Sequence, residues 1–169
     1  MQVRGFPRDE TCVTVADMNF KAALEQGCYC LALKSDTKNE IIGEMVELLV
    51  KGGRIRPADG KEVLRAILER EQKISTGLQH GVAVPHGKTN AVEELVTAIA
   101  LKKEGVDFES LDGEPSRIFV MTVSSPLRAG PHMEYLAEIS RLLNSASVRK
   151  RVLEADSINA LIGALTDSV

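Results

Sequence analysis

The chain has 169 residues, 44% of them apolar, with 21 basic and 24 acidic side chains. This length allows one domain with a sizeable core and is too short for two full-sized domains. The net charge of -3 provides no basic excess for the counterion release that drives nucleic-acid binding, so nucleic acid is not an expected partner.

The sequence carries no recognisable targeting or membrane signal. No apolar run approaches the ~18 residues that a transmembrane helix needs, and the opening residues lack the apolar core of a secretion signal. We therefore expect a cytoplasmic protein with no membrane insertion. Residues 1–16 show no clear hydrophobic period and are interpreted as an N-terminal extension of uncertain order, which leaves residues 17–169 as the domain.

Helix and strand patterns alternate in the first half of the chain. A short helix is predicted over residues 20–26 and a strand over residues 28–33. Thr37 and Glu40 then have the spacing of a capping box, and apolar residues recur with helical period as far as Gly52. A further helix is predicted after Pro57.

The second half of the chain predicts the centre of a sheet and two closing helices. Residues 77–81 form a loop, and residues 95–101 and 118–123 are short apolar runs that suit strands buried on both faces. Helices are predicted over residues 131–143 and from Ser147 onward. Because helices and strands are intermixed, the expected fold class is α/β: a single-domain sandwich with a mixed, mostly buried β-sheet flanked by helices.

The three cysteines, Cys12, Cys28 and Cys30, favour packing rather than chemistry. The C-x-C of Cys28 and Cys30 has no second pair to complete a zinc site. Alternation along a strand puts both side chains on one face, which predicts small buried hydrophobic residues.

Residues 81–89 read GVAVPHGKT and allow two interpretations. A phosphate-binding loop follows the pattern G-x-x-x-x-G-K-[ST], but here five residues separate Gly81 from Gly87, one too many for that register. Alternatively, His86 is itself the reactive group. Pro85 sets the chain direction before it, and Gly87 has no side chain to block a large partner. A structural histidine that caps a turn is the competing explanation.

The other two histidines are weaker candidates. His132 follows Gly130 and Pro131, and a proline at the first helical position places it in the first turn of a helix. Free amides and the positive end of the helix dipole favour a phosphate there, and a neutral imidazole can donate one hydrogen bond to an oxyanion. His132 could equally be a surface residue at a helix start. His80 is a polar residue in a Gly-flanked loop and is the weakest candidate.

The sequence predicts neither a metal nor a cofactor. His80 and His86 are six positions apart across a loop and a strand, with no suitably spaced acidic or cysteine ligand nearby. The apolar run over residues 118–123 ends in Ser124 and Ser125, where a nucleotide-binding protein would be expected to have a magnesium-holding aspartate.

Several motifs together resemble one protein family. They are Arg70-Glu71, Ser75-Thr76-Gly77, the stretch GVAVPHGK from Gly81 to Lys88, KEGVDFESLDGEP after Lys102, and HMEYLAEISRLL from His132. This combination is similar to the enzyme IIA domain of the fructose and mannitol class in the bacterial phosphoenolpyruvate-dependent sugar phosphotransferase system. The resemblance covers roughly residues 20 to 165, and the combined pattern is far more specific than any one short motif.

The resemblance implies a function for particular residues. In that family the histidine of the P-H-[GA] motif, here His86, receives a phosphoryl group from the phosphocarrier protein HPr and passes it to a cysteine of a IIB domain. His132 is implied to lie close to His86, and Arg70 to lie near the phosphoryl group. Further support at the phosphoryl site is expected from Ser75, Thr76, Gly87 and Lys88.

The chain departs from the family pattern at Pro131, where family members often have an acidic or polar residue, and residues 1–16 have no counterpart. No IIB or membrane IIC segment accompanies the domain, so the partner is expected to be a separate IIB domain or a regulated target protein. The function is then a relay in sugar uptake or a phosphoryl signal of the nitrogen-related type, which P-H-G-K resembles more than P-H-A. A third interpretation is a regulatory interaction module that keeps the fold without carrying phosphate, and the presence of His86, His132 and Arg70 together argues against it.

Overall fold

The computed structural model describes residues 19–169, which form six α-helices and five strands. The strands are β1 (Cys28–Cys30), β2 (Val82–Ala83), β3 (His86–Lys88), β4 (Val96–Val106) and β5 (Ser116–Ser124). The helices are α1 (Phe20–Glu25), α2 (Lys38–Lys51), α3 (Gly60–Lys73), α4 (Ala129–Leu143), α5 (Ala146–Glu154) and α6 (Ile158–Thr166). Short 3₁₀ turns, Pro57–Asp59 and Pro126–Arg128, precede α3 and α4. The predicted N-terminal extension and Cys12 lie outside the described residues.

All five strands belong to one mixed sheet. β1 pairs parallel with β4, and β4 pairs antiparallel with β5. β2 and β3 both pair parallel with β5, on the side that β4 does not occupy. β2 lies beside the start of β5 and β3 beside its end, so each forms part of the same sheet edge. The predicted mixed sheet is confirmed.

Helices cover both faces of the sheet. Along β5, Phe119 and Met121 pack in a core with α2 and α3, whereas Ile118 and Val120 pack in a second core with α1, α4, α5 and α6. This alternation is the period-two pattern of a strand that is buried on both faces. The predicted α/β sandwich is therefore confirmed.

Several predicted boundaries differ from the structure. β1 ends at Cys30 rather than at residue 33, and β4 continues to Val106, with a register irregularity after Leu101. α4 begins at Ala129, so Pro131 is the third helical residue and not the first. Apolar runs locate the buried part of an element, but its ends depend on tertiary pairing.

Two predictions about particular side chains can be compared with the structure, one at the start of α2 and one along β1. The Thr37 hydroxyl donates to the Glu40 carboxylate at 2.8 Å. Thr37 is the N-cap residue of α2, but its side chain caps no backbone amide, so the predicted capping box is not formed. Cys28 is buried in the core beneath α2, and the half-buried Cys30 packs against the same core, so their predicted shared face is confirmed.

No helix within residues 19–169 is long and apolar enough to cross a membrane.

Gly52→Ala is expected to lower the free energy of unfolding by about 1–3 kcal/mol through overpacking. The added carbon would clash with Cys28 Sγ, so the Cys28 side chain or the helix would have to move. Urea denaturation measures the loss, which should shrink when Cys28→Ala is combined with Gly52→Ala.

Gly43→Ala is the matched control. It lies within α2, and apart from its chain neighbours and the helix's own backbone no atom lies within 4 Å of the added carbon. We expect it to stabilise the protein by about 0.5–1 kcal/mol through helix propensity alone. An equal effect of the two substitutions would show that contact with Cys28 is not the cause.

Candidate active site

β3 places His86 at the edge of the sheet, between α3 and α4. In the parallel ladder, His86 lies opposite Thr122 and Gly87 lies opposite Val123. Successive side chains of a strand point to opposite faces, so His86 and Gly87 face different helices. An added Cβ on Gly87 would lie 3.1 Å from Ile67 Cγ1 on α3. Gly87 therefore allows β3 to pack closely on α3. The sequence analysis explained this glycine differently, as leaving space for a large partner beside His86.

The His86 ring is held in one tautomer. Its Nδ1 lies 2.8 Å from the carbonyl oxygen of Val84. Because a carbonyl only accepts, Nδ1 carries the hydrogen and Nε2 keeps its lone pair. Burial lowers the pKa of His86 below its ordinary value, and the positive charges of Arg70 and Lys88 lower it further. The hydrogen bond to the Val84 carbonyl and the charge of Glu71 act in the opposite direction but do not cancel this decrease. His86 therefore presents a neutral, nucleophilic Nε2.

His132 is buried beside His86. The two ring centroids are 5.5 Å apart, and His132 is 1% exposed, so it is not a surface residue at the helix start. Its Nδ1 lies 2.6 Å from Ser124 Oγ, and its buried Nε2 has no hydrogen-bond partner among the described residues. Burial, together with His86 and Lys88, lowers the pKa of His132 to about 4. Both rings are thus neutral at neutral pH.

A cleft of about 560 Å³ lies in front of the two histidines. Its lining comes from α3, β3 and α4: Ala66, Glu69, Arg70, Lys73, His86, Gly87, Lys88, His132, Met133 and Leu136. The structure thus brings together Arg70, His86, Gly87, Lys88 and His132 from the sequence-based prediction.

The charged groups of the cleft favour an anion. Arg70, Lys73 and Lys88 contribute three cations, whereas the one carboxylate, Glu69, is engaged by Arg65 at 2.9 Å. Arg70 has no carboxylate partner in the described part of the chain, and one of its guanidinium nitrogens donates to the Ile74 carbonyl at 2.9 Å. The cleft is therefore locally cationic in a chain of net charge -3.

Ser75 and Thr76 are not among the residues that line this cleft. Ser75 Oγ donates to the Phe108 carbonyl at 2.7 Å, and the Thr76 amide donates to Glu71 Oε1 at 2.8 Å. Both residues order the turn after α3. The Thr76 amide, expected from the sequence to support the phosphoryl group, is instead occupied by a buried carboxylate.

Sequence reasoning missed the role of that carboxylate. Glu71 is buried and forms an ion pair with Lys38 of α2 at 2.9 Å. Burial would raise the pKa of Glu71, but hydrogen bonds from Thr76 and Lys38 lower it below the ordinary value. Glu71 stands next to Arg70 in the sequence, so the motif contained it without indicating that it faces inward.

Five cleft residues were also missed by sequence reasoning: Ala66, Glu69, Lys73, Met133 and Leu136. Lys73 lies three positions after Arg70 and four after Glu69, so the helical period of α3 could have predicted that Lys73 shares a face with each of them. Met133 follows His132 directly and is 60% exposed. No sequence signal distinguished it from other surface methionines.

The loop over residues 77–81 does not reach the cleft. Its Leu78, Gln79 and His80 line a separate cavity beside the C-terminal half of α4. The His80 amide donates to Asp112 Oδ2 at 2.8 Å. This loop therefore forms no part of the cleft in front of His86. Within residues 19–169, no group of three His, Cys, Asp or Glu side chains is placed to hold a metal ion.

Comparison with known proteins agrees with this geometry. The sequence profile of the family described as "Phosphoenolpyruvate-dependent sugar phosphotransferase system, EIIA 2" matches residues 24–168, and the chain belongs to this family. The chain is 39% identical over 132 residues to the fructose-specific EIIABC component of Bacillus subtilis. That match covers 78% of this chain and 20% of the relative. The fructose-specific EIIA component of Haloferax volcanii is 34% identical over 79% of this chain and 85% of its own length.

Solved structures show the same fold. The nitrogen regulatory protein IIA-Ntr of Neisseria meningitidis superposes with a TM-score of 0.76 at 25% identity, over 83% of this chain and 94% of that one. The mannitol enzyme IIA of Escherichia coli, in its complex with phosphorylated enzyme IIB, gives a TM-score of 0.70 at 26% identity. That match covers 82% of this chain and 94% of the other. Relatives thus include both sugar-specific and nitrogen-regulatory proteins.

The depressed pKa of His132 predicts a dependence of stability on pH. Its pKa is about 4 in the folded protein, compared with ~6.5 for an unperturbed histidine. The unfolded chain therefore binds more protons, so this contribution to stability is complete above pH ~6.5 and is lost as the pH falls toward 4. Urea denaturation at about pH 7 and about pH 4.5 should show a larger loss for the wild type than for His132→Gln. Equal losses would contradict a buried neutral His132.

Proposed function

We propose that the protein is a phosphoryl carrier that accepts a phosphoryl group from an HPr-like phosphocarrier protein on Nε2 of His86. The phosphoryl group then passes to a cysteine of a separate IIB domain or serves as a regulatory signal. The observation that carries the proposal is the 2.8 Å hydrogen bond from His86 Nδ1 to the Val84 carbonyl. It leaves the lone pair on Nε2, in a ring that lines a cationic cleft.

The transfer step follows from this tautomer. The Nε2 lone pair attacks phosphorus as the bond from phosphorus to the donor imidazole breaks, and the donor keeps that electron pair. The hydrogen stays on Nδ1, so the phosphorylated ring carries a positive charge that the Val84 carbonyl stabilises. In the onward step a nucleophile attacks phosphorus, the bond from phosphorus to Nε2 breaks, and neutral His86 is restored.

The remaining cleft residues stabilise the charge in transfer. Phosphoryl transfer needs mainly alignment and electrostatic stabilisation of the equatorial oxygens. Arg70 and Lys88 supply positive charge, and His132 supplies a neutral donor. Gly87 acts indirectly, by allowing β3 to lie against α3.

The surface around the cleft suits brief docking of more than one partner. His86 is half-buried, and Met133, which lines the cleft from α4, is 60% exposed. Exposed apolar side chains beside a reactive group provide contact area, and transient relay complexes bury less than ~1,200 Å² in total. Both partners are therefore proposed to be proteins. As a separate point, we propose that the protein acts in the cytoplasm.

Two outcomes of phosphorylation fit this family. The matched relatives include fructose-specific EIIA proteins and a nitrogen regulatory protein from Bradyrhizobium diazoefficiens, the latter 28% identical over 134 residues. Neighbouring reading frames distinguish them: IIB and IIC genes favour transport, whereas a nitrogen sigma-factor neighbourhood favours regulation. An interaction module without phosphoryl transfer would leave the paired neutral histidines without a purpose.

His86→Ala is expected to abolish phosphoryl acceptance, because it removes the attacking nitrogen. Wild type and variant are incubated with phosphoenolpyruvate, enzyme I and HPr, and the gain of one phosphoryl group is measured by intact mass. His80→Ala is the matched control, since His80 lines a different cavity and should leave labelling intact. Full labelling of His86→Ala, with the phosphate mapped to another residue, would refute the assignment.

Arg70→Ala is expected to accept the phosphoryl group about a hundredfold more slowly, which corresponds to about 3 kcal/mol of barrier. Rapid-quench kinetics with phosphorylated HPr measures the rate, and Arg70→Lys should retain part of it through its charge. Arg56→Ala is the control, because Arg56 pairs with Asp59 before α3, away from the cleft. Equal rates for the two alanine variants would show that Arg70 does not contribute to phosphoryl transfer.

A further inference from the structure

A buried hydroxyl stands behind His132. Ser124 is the last residue of β5, and its side chain is fully buried. Ser124 Oγ lies 2.6 Å from His132 Nδ1, and the His132 ring centroid is 5.5 Å from that of His86. The contact therefore joins the end of the central strand to the second histidine of the cleft.

The direction of this hydrogen bond can be deduced from the surroundings. Among residues 19–169, Ser124 Oγ has no hydrogen-bond partner other than His132 Nδ1. If Nδ1–H donated, the serine hydrogen would have no acceptor in a fully buried position, and Nε2 would also lack a donor. If the hydroxyl donates instead, its hydrogen is satisfied and only Nε2–H remains unpaired. Buried polar groups are rarely left unpaired, so the second arrangement is favoured.

The protonation state of His132 agrees with this assignment. Burial, His86 and Lys88 lower its pKa to about 4, so the ring is neutral near neutral pH. A neutral imidazole has one N–H and one lone pair, and a hydrogen bond to one nitrogen decides which nitrogen carries the hydrogen. A hydroxyl that donates to Nδ1 therefore keeps the hydrogen on Nε2.

A second buried atom points to the same face of β5. Thr122 lies opposite His86 in the ladder, two residues before Ser124, and so shares its side of the strand. Thr122 Oγ1 and His132 Nε2 are the buried side-chain atoms without a partner in the described part of the chain. Both belong to residues that adjoin His86, and of the two residues His132 lines the cleft.

We propose that Ser124 is a positioning residue for phosphoryl transfer: its hydroxyl donates to His132 Nδ1 and so directs Nε2–H toward an oxygen of the phosphoryl group on His86. The opposite tautomer would direct a lone pair toward that anion. No covalent bond forms or breaks at Ser124 or His132, and the hydrogen stays on Nε2 throughout. This inference rests on the proposed function of His86.

Ser124→Ala tests the inference, with Ser116→Ala as the matched control. Both residues are fully buried serines of β5, but Ser116 pairs with Ser110 at the other end of the strand. Imidazole ¹⁵N shifts of the unphosphorylated proteins report the His132 tautomer. We expect the Nε2–H form in the wild type and in Ser116→Ala, and a mixture of tautomers in Ser124→Ala. Transfer from phosphorylated HPr should slow about tenfold in Ser124→Ala only, and Ser124→Thr should restore both tautomer and rate.

Two results would overturn the inference: an Nδ1–H tautomer in the wild type, or unchanged ¹⁵N shifts and rate in Ser124→Ala. Thermal unfolding shows whether each variant is folded, and the tautomer in Ser124→Ala decides the question even if Ser124→Thr does not fold. Failure of the proposed function is recognised separately, because the wild type itself would then gain no phosphoryl group on His86.

Discussion

The cleft depends on the parallel register between β3 and the end of β5. In this register His86 lies opposite Thr122 and Lys88 lies opposite Ser124. The ladder continues from the hydrogen bond that the Thr122 amide donates to the Pro85 carbonyl at 3.1 Å. A slip of one residue would exchange the two faces of β3 and direct the imidazole toward α3, where even a Cβ at position 87 is tightly confined. A short edge strand thus controls the position of the reactive ring.

The electrostatics of the cleft follow from the same placement. Arg70 and Lys88 lower the pKa of His86, whose burial already disfavours the protonated ring. In the proposed transfer, these cations would also attract the phosphoryl oxygens. One set of charges would then keep the nucleophile unprotonated and stabilise the group that it receives, although the chain as a whole has a net charge of -3.

The ion pair between Glu71 and Lys38 stabilises the position of α3 beside the cleft. Their buried ion pair links α2 to the end of α3, and the Thr76 amide and hydroxyl complete the coordination of the carboxylate. Removal of one partner from a buried ion pair typically costs about 3–5 kcal/mol, because the other charge remains uncompensated. Arg70 lies next to Glu71 on the helix, so the inward-facing carboxylate helps to hold the guanidinium at the cleft.

Patterns in the sequence predicted the class of fold and the family, and they indicated His86 as the candidate reactive group. Apolar periodicity is a local property, so it predicted the helices and the central strands, and the motif around His86 was specific enough to indicate its chemistry. Only the tertiary structure decided which groups surround that histidine. Ser75 and Thr76 belong to the same sequence pattern but form hydrogen bonds away from the cleft, whereas Ser124, at the end of β5, contacts the buried His132. Hydrogen-bond partners and pKa values depend on contacts between residues distant in the sequence, and local patterns do not contain them.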